Sequence, residues 1–178
     1  IALGSTNLIG AYNFEHGRTI GVELAADFVF HEHLSAFANA TWLVAQGQGI
    51  SSAKFLFDAE QLADTSWQTL DHAQSYTANA GLTVSYQGAQ ATALMNYGSG
   101  LRTGPTNNQS VPGHVRFDLT LQYSFDHLPV RPRLAIDIIN LFDAQYAYRI
   151  GNAFVGSSYA APRSVFARLA IPLDFPTR

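Results

Sequence analysis

His114-Val115-Arg116-Phe117-Asp118-Leu119-Thr120-Leu121-Gln122-Tyr123-Ser124-Phe125 reads as a β-strand with two unlike faces. Val115, Phe117, Leu119, Leu121, Tyr123 and Phe125 fall on one side, and His114, Arg116, Asp118, Thr120, Gln122 and Ser124 on the other. Side chains alternate along a strand with a period of two, so such a run predicts a strand between an apolar and a polar medium. The comb recurs at residues 19–30, where Ile20, Val22, Leu24, Ala26, Phe28 and Phe30 oppose Gly21, Glu23, Ala25 and Asp27. At residues 75–86, Tyr76, Ala78, Ala80, Leu82, Val84 and Tyr86 oppose Thr77, Asn79, Gly81, Thr83 and Ser85. Weaker combs occupy residues 34–43, 89–97, 133–142 and 163–173, with Phe37 out of place on a polar face. The expected fold is therefore all-β, with seven strands and room for an eighth of poor alternation within residues 1–14.

The connections alternate in length. Short turns fall at His31-Glu32-His33, at Gln87-Gly88 and at residues 126–130, whereas long loops occupy residues 47–74, 101–113 and 143–162. This is the pattern of an antiparallel transmembrane β-barrel, a meander with short periplasmic turns and long extracellular loops.

Composition agrees. Of 178 residues, 47% are hydrophobic and 12% aromatic, but only 13% are charged, about half the usual charged share. A net charge of −3 with Lys54 as the only lysine offers no basic surface, so no nucleic-acid partner is expected. The absence of cysteine excludes a disulfide scaffold, a thiolate zinc site and a cysteine nucleophile. No apolar run reaches the roughly 18 residues of a transmembrane helix. A soluble β-sandwich or lipocalin-like barrel shares the alternation. Against it stand the near absence of charge from the apolar combs and the aromatics near strand ends, where an interfacial girdle lies. The start at Ile1, without Met or a signal-peptide pattern, reads as processed or as cut from a longer chain.

The last third carries Ile138-Ile139-Asn140-Leu141-Phe142-Asp143, then Tyr146, Arg149 and Gly151, then Ala161-Pro162-Arg163-Ser164-Val165-Phe166 leading into a final strand. Upstream stand Gly21-Val22-Glu23-Leu24, Leu70-Asp71-His72-Ala73-Gln74 with Thr77, and Tyr97-Gly98-Ser99-Gly100-Leu101-Arg102. Together these stretches resemble the C-terminal barrel of TonB-dependent outer-membrane receptors, from about Asn13 onward. The resemblance implies a barrel of about 22 strands around a plug, with a TonB-binding segment before it. On that reading residues 1–178 are the C-terminal part of such a barrel, holding neither plug nor TonB-binding segment, and Phe175 is the counterpart of a terminal aromatic. The implied function is import of a scarce nutrient such as a ferric siderophore across the outer membrane of a Gram-negative bacterium. The implied partners are outer-membrane lipid, the rest of the barrel, the plug, TonB and a small metal chelate.

The motifs have a physical reading of their own. Asn140 and Asp143 can close a turn through their side-chain oxygens, while Gly98, Gly100, Gly104 and Pro105 let the chain leave the sheet. The polar combs offer Glu23, Asp27, Arg116, Asp118, Asp137 and Arg168. Their neighbours are too small to fill a narrow bore, which favours a wide barrel over a self-closed eight-stranded structural or adhesive one.

Candidate ligand contacts in the long loops are Trp67, Asp71, His72, Arg102, Tyr148, Arg149 and Asn152, since aromatic faces and guanidinium groups suit anionic ligands and chelates. Phe55-Leu56-Phe57 is a loop core, an added strand or an exposed patch. His31-Glu32-His33 gathers metal-ligand types but reads as a solvated turn, so no metal site or cofactor is assigned. Neither a Gly-Xaa-Ser-Xaa-Gly elbow nor a His-Glu-Xaa-Xaa-His element occurs, and no enzyme is expected, an outer-membrane hydrolase being the remote alternative.

Overall fold

The computed structural model describes residues 12–52, 54–103, 107, 109–150 and 156–172. Seven long antiparallel strands form one sheet: β1 (Phe14–His31), β2 (Leu34–Ile50), β4 (Tyr76–Tyr86), β5 (Ala89–Gly98), β8 (His114–Ser124), β9 (Arg133–Ile139) and β12 (Ser164–Ala170). Their order is that of the chain, with β3 (Gln68–Thr69) paired to β2. Two small ribbons lie in the long loops, β6 (Arg102–Thr103) with β7 (Gln109–Ser110), and β10 (Ala147–Arg149) with β11 (Ser158–Tyr159). One short helix, α1 (Ala59–Ala63), is started by a capping box between Asp58 and Gln61. All seven predicted strands form. An eighth strand within residues 1–14 lies mostly outside the described residues, as do Gly104 and Pro105.

The two faces are inverted relative to a soluble protein. Along β8 the apolar comb is the more exposed and the polar comb the more shielded. Across the sheet Ile20 is 57% exposed, Leu24 69% and Leu169 65%, and among the described residues the buried hydrophobics are only Ala45, Ile50, Val111 and Ala135. A soluble sandwich of these strands would leave its apolar comb in water, forfeiting about 1.5–3 kcal/mol for each large side chain. Lipid supplies the missing cover. Tyr76 and Tyr86 mark the two ends of β4. The ten steps between them, at about 3.3 Å each and about 40° of tilt, span about 25 Å along the normal, the height of a barrel's apolar band.

Two strands run further than their alternation indicates. β1 begins at Phe14 rather than residue 19, and β2 continues to Ile50 rather than stopping near residue 43. The ladder stays paired from Phe14↔Ile50 to Ala26↔Ala38. An 18-residue strand rises about 45 Å along the normal at the same tilt, so about 20 Å of this hairpin clears the apolar band. Beyond lipid no apolar comb is required, but the backbone groups still gain from pairing, so the strands outlast their pattern. Conversely β9 ends at Ile139, because Asn140 takes a left-handed conformation (φ 56°) that no strand continues through.

Cross-strand pairs hold the polar face together. Asn79 Nδ2 donates to Asn39 Oδ1 at 2.9 Å, the Thr83 and Thr92 hydroxyls meet at 3.1 Å, and Gln90 Nε2 donates to Ser85 Oγ at 3.2 Å. Each pair sits directly opposite in register. Asp137 on β9 accepts from Thr120 on β8 at 2.8 Å and from both Nε and Nη2 of Arg168 on β12. Phe37, out of place in the alternation, faces Gly81 directly across the ladder, and its ring fills the space a Cβ would take. The short turn Gln87-Gly88 has φ of 46° and 83°, positive at both central positions as a type I′ hairpin requires.

The Asn140-to-Asp143 turn is the most tightly bonded element at the long-loop rim. Asn140 is 1% exposed. Its Nδ2 donates to the carbonyls of Ala144 and Ala161, both at 3.0 Å, and its Oδ1 accepts from Ala144 N at 2.9 Å. Asp143 Oδ1 accepts from Arg163 N at 2.8 Å, one residue before β12. The two side chains thus tie the end of β9 to the start of β12 across a long loop.

The sheet remains open, since among the described residues no register joins β1 to β12. Both edges present unpaired backbone groups, which in lipid demand neighbouring strands. A self-closed eight-stranded barrel is not what these strands form.

Two outcomes test this architecture by urea unfolding of the lipid-inserted barrel. Leu82→Arg, on the apolar face near mid-strand, should cost about 2–4 kcal/mol, whereas Thr83→Arg on the polar face should cost about 1 kcal/mol or less; equal costs would exclude the assigned facing. Asn140→Ala should cost about 3 kcal/mol through lost bonds and an unfavourable φ, and Asn140→Gly should recover the backbone part alone.

Candidate functional site

At the long-loop rim the polar face gathers aromatic rings and charge. His114 opens the polar comb of β8, and Arg116 and Asp118 follow on the same face two and four residues on. Arg116 Nη2 donates to Asp118 Oδ2 at 2.9 Å, and Asp118 Oδ1 accepts from the backbone N of Asn140 at 2.8 Å. One carboxylate therefore aims the guanidinium and anchors the Asn140 turn.

The loop after that turn folds back over the strand. Tyr146 stacks on His114 with ring centroids 4.2 Å apart and planes 7° from parallel, and Tyr148 meets the same imidazole edge-on at 5.4 Å. The two phenol oxygens lie 3.0 Å apart. Burial, then the bond to Tyr148, pushes the Tyr146 phenol up to about 12, so its hydroxyl keeps its proton at neutral pH. The stack is held from behind by β10–β11 pairing and by Ala160 N donating to Tyr146 O at 2.9 Å.

Small residues make room for the cluster. Gly98, opposite His114 in register, leaves open the space where the Gln74 amide and the His114 ring approach. Gly100 has φ 89° and lies so near the Val111 carbonyl that any side chain would collide with it. That contact lets Val111 pack beside the rim, buried and with its N donating to Leu101 O at 2.9 Å.

Two shielded polar atoms, His114 Nδ1 and Arg116 Nε, have no hydrogen-bond partner among the described residues. A cationic donor, an imidazole and two phenols on one face suit an anionic or hydroxylated partner.

The structure distributes the sequence-expected ligand residues. Tyr148 belongs to this cluster. Arg149 is exposed one residue further along β10, and Arg102 stands in β6 opposite Ser110. Asp71 pairs with His72. Trp67 lies under the Arg18 guanidinium, 4.3 Å from its ring centroid, while Arg18 also donates to Gln46 on β2. That contact braces the projecting hairpin. Asn152 lies outside the described residues. In the longest loop Phe57 packs edge-on against Tyr12 and Phe55 is exposed, so the added strand is β3 rather than the Phe55-to-Phe57 stretch. His114 and Tyr146 were not among the expected ligand contacts. Parity places His114 on the polar face beside a long loop, but only the fold shows Tyr146 stacked on it.

Solved structures share this architecture. The siderophore receptor PiuA from Acinetobacter baumannii superposes with a TM-score of 0.63 at 17% identity, over 86% of this chain and 21% of that one. The copper transporter OprC does so with a TM-score of 0.59, also at 17% identity, over 86% and 24%. The chain thus spans under a quarter of the length of either. No curated protein matches it by sequence. Residues 3–141 match the family described as TonB dependent receptor-like, beta-barrel. With alternating strands, an inverted exposure pattern and an open sheet whose edges call for more strands, the chain belongs to the β-barrel family of TonB-dependent receptors.

Proposed function

We propose that this chain is the C-terminal part of the barrel of an outer-membrane receptor that imports a scarce nutrient such as a ferric siderophore, energised by TonB through a plug domain in the lumen. The family is one of transport receptors rather than enzymes, and its members lie in the outer membrane of Gram-negative bacteria. In this reading the short turns face the periplasm and the long loops the medium.

The observation that carries the proposal is the lumen-facing cluster of His114, Arg116, Asp118, Tyr146 and Tyr148, with shielded polar atoms left for a partner. Burying such atoms without a partner costs about 1–3 kcal/mol each, so they favour a ligand or a plug surface that completes them. Tyr148 acts with Arg102, Arg149, Trp67, Asp71 and His72 around the outer mouth, where guanidinium and aromatic groups receive an anionic chelate. One structural neighbour is a siderophore receptor and the other a copper transporter, which supports a metal or metal-chelate cargo.

The test is uptake of radio-iron-labelled hydroxamate and catecholate siderophores by cells carrying the full receptor. Uptake should require TonB and should fall about tenfold, equivalent to about 1.4 kcal/mol, in Arg116→Ala and in Tyr146→Ala, with heat-modifiable migration showing an intact barrel. TonB-independent uptake, or unchanged uptake in both variants, overturns the proposal.

A further inference from the structure

At the opposite rim from this cluster the β1–β2 hairpin turns through His31, Glu32 and His33. In an uninterrupted strand His31 would continue the polar comb of Asp27 and Val29. At this point the ladder shifts register: Val29 pairs with Ser35, whereas His31 pairs with Leu34. Irregularities of this kind re-aim a side chain. In this turn the ligand atoms of His31, Glu32 and His33 all lie within 4.8 Å of one another. The imidazole centroids stand 5.3 Å apart, and His33 Nε2 lies 3.6 Å from Glu32 Oε1.

We propose that His31, Glu32 and His33 bind one divalent transition-metal ion of the zinc class at the short-turn rim. Two imidazole nitrogens at about 2.0–2.1 Å from a shared ion lie about 3.3 Å apart, so the side chains need only small rotations from their present positions. The carboxylate then offers a third ligand and offsets the ion's charge. Two nitrogens and one oxygen select zinc, copper(II) or nickel(II) over magnesium or calcium, which prefer oxygen ligands throughout.

The turn is also held in place before any ion arrives. His33 O accepts from Ser85 N at 2.9 Å, fastening the turn to β4, and the His33 ring packs edge-on against Tyr86 at 5.5 Å. Restricting one ligand in this way lowers the entropy lost on binding. A recess of about 230 Å³ opens beside it, lined by His33, Ser85, Gln87, Gln122 and Ser124 among others, with room for the ion's remaining waters. Because all three ligands are exposed, the ion is exchangeable rather than locked in.

The experiment uses the full receptor in detergent with any affinity tag removed, titrated with Zn²⁺ by calorimetry and with Cu²⁺ by electron paramagnetic resonance. Zn²⁺ stoichiometry should fall by one in His31→Ala/His33→Ala relative to wild type. Either single variant should weaken this site by at least about tenfold. The Cu²⁺ spectrum should show coupling to two nitrogens in wild type and to one in each single variant. Identical Zn²⁺ titrations of wild type and the double variant, with both migrating as folded barrels, overturn the proposal. Because these residues lie on the far rim from the lumen cluster, that result leaves the transport reading intact.

Discussion

Within a bilayer a strand's N–H and C=O groups find no water, and each one left unpaired costs several kcal/mol. The remaining architecture follows from that demand. It keeps the seven long strands in a continuous antiparallel ladder from β1 to β12 and makes both free edges incomplete. Beyond the lipid the ladder continues, as from Gln46 to Ile50, because backbone groups still gain from pairing there.

Lipid then decides what each face is made of. The apolar comb needs no internal core, which is why so few described hydrophobics are buried. The polar comb bonds to itself through pairs such as Asn39–Asn79 and Thr120–Asp137–Arg168. Near mid-strand these groups satisfy one another. At the long-loop rim Arg116 bonds to Asp118, while its Nε and His114 Nδ1 have no hydrogen-bond partner among the described residues. The two rims differ accordingly: one folds long loops over the lumen, and the other makes tight turns that bring neighbouring side chains together.

Much of this was legible in the residues. The alternation of Val115 to Phe125 identified the strand and its facing, and the lengths of the connections separated the rims. Asn140 and Asp143 were recognisable as turn-closing residues, and each makes the backbone bonds expected of it. Strand ends were less legible. Hydrophobic pattern reports the lipid boundary, whereas hydrogen bonding sets the end of a strand, and on the projecting hairpin the two are about 20 Å apart. The contacts of the loop residues were least legible of all, because Trp67 packs under Arg18 of β1 while Tyr146 crosses a loop to reach His114.

The sequence by itself determined the fold class, the facing of each strand and the family. All of these rest on local periodicity or on motifs read within a few residues, which a linear string records. Only the tertiary structure decided which loop residues meet. It stacked Tyr146 on His114, set Trp67 against Arg18 of the outer hairpin, and brought the ring centroids of His31 and His33 to 5.3 Å. Those juxtapositions depend on loop closure and register, which arise when distant segments pair and leave no periodic trace in the chain.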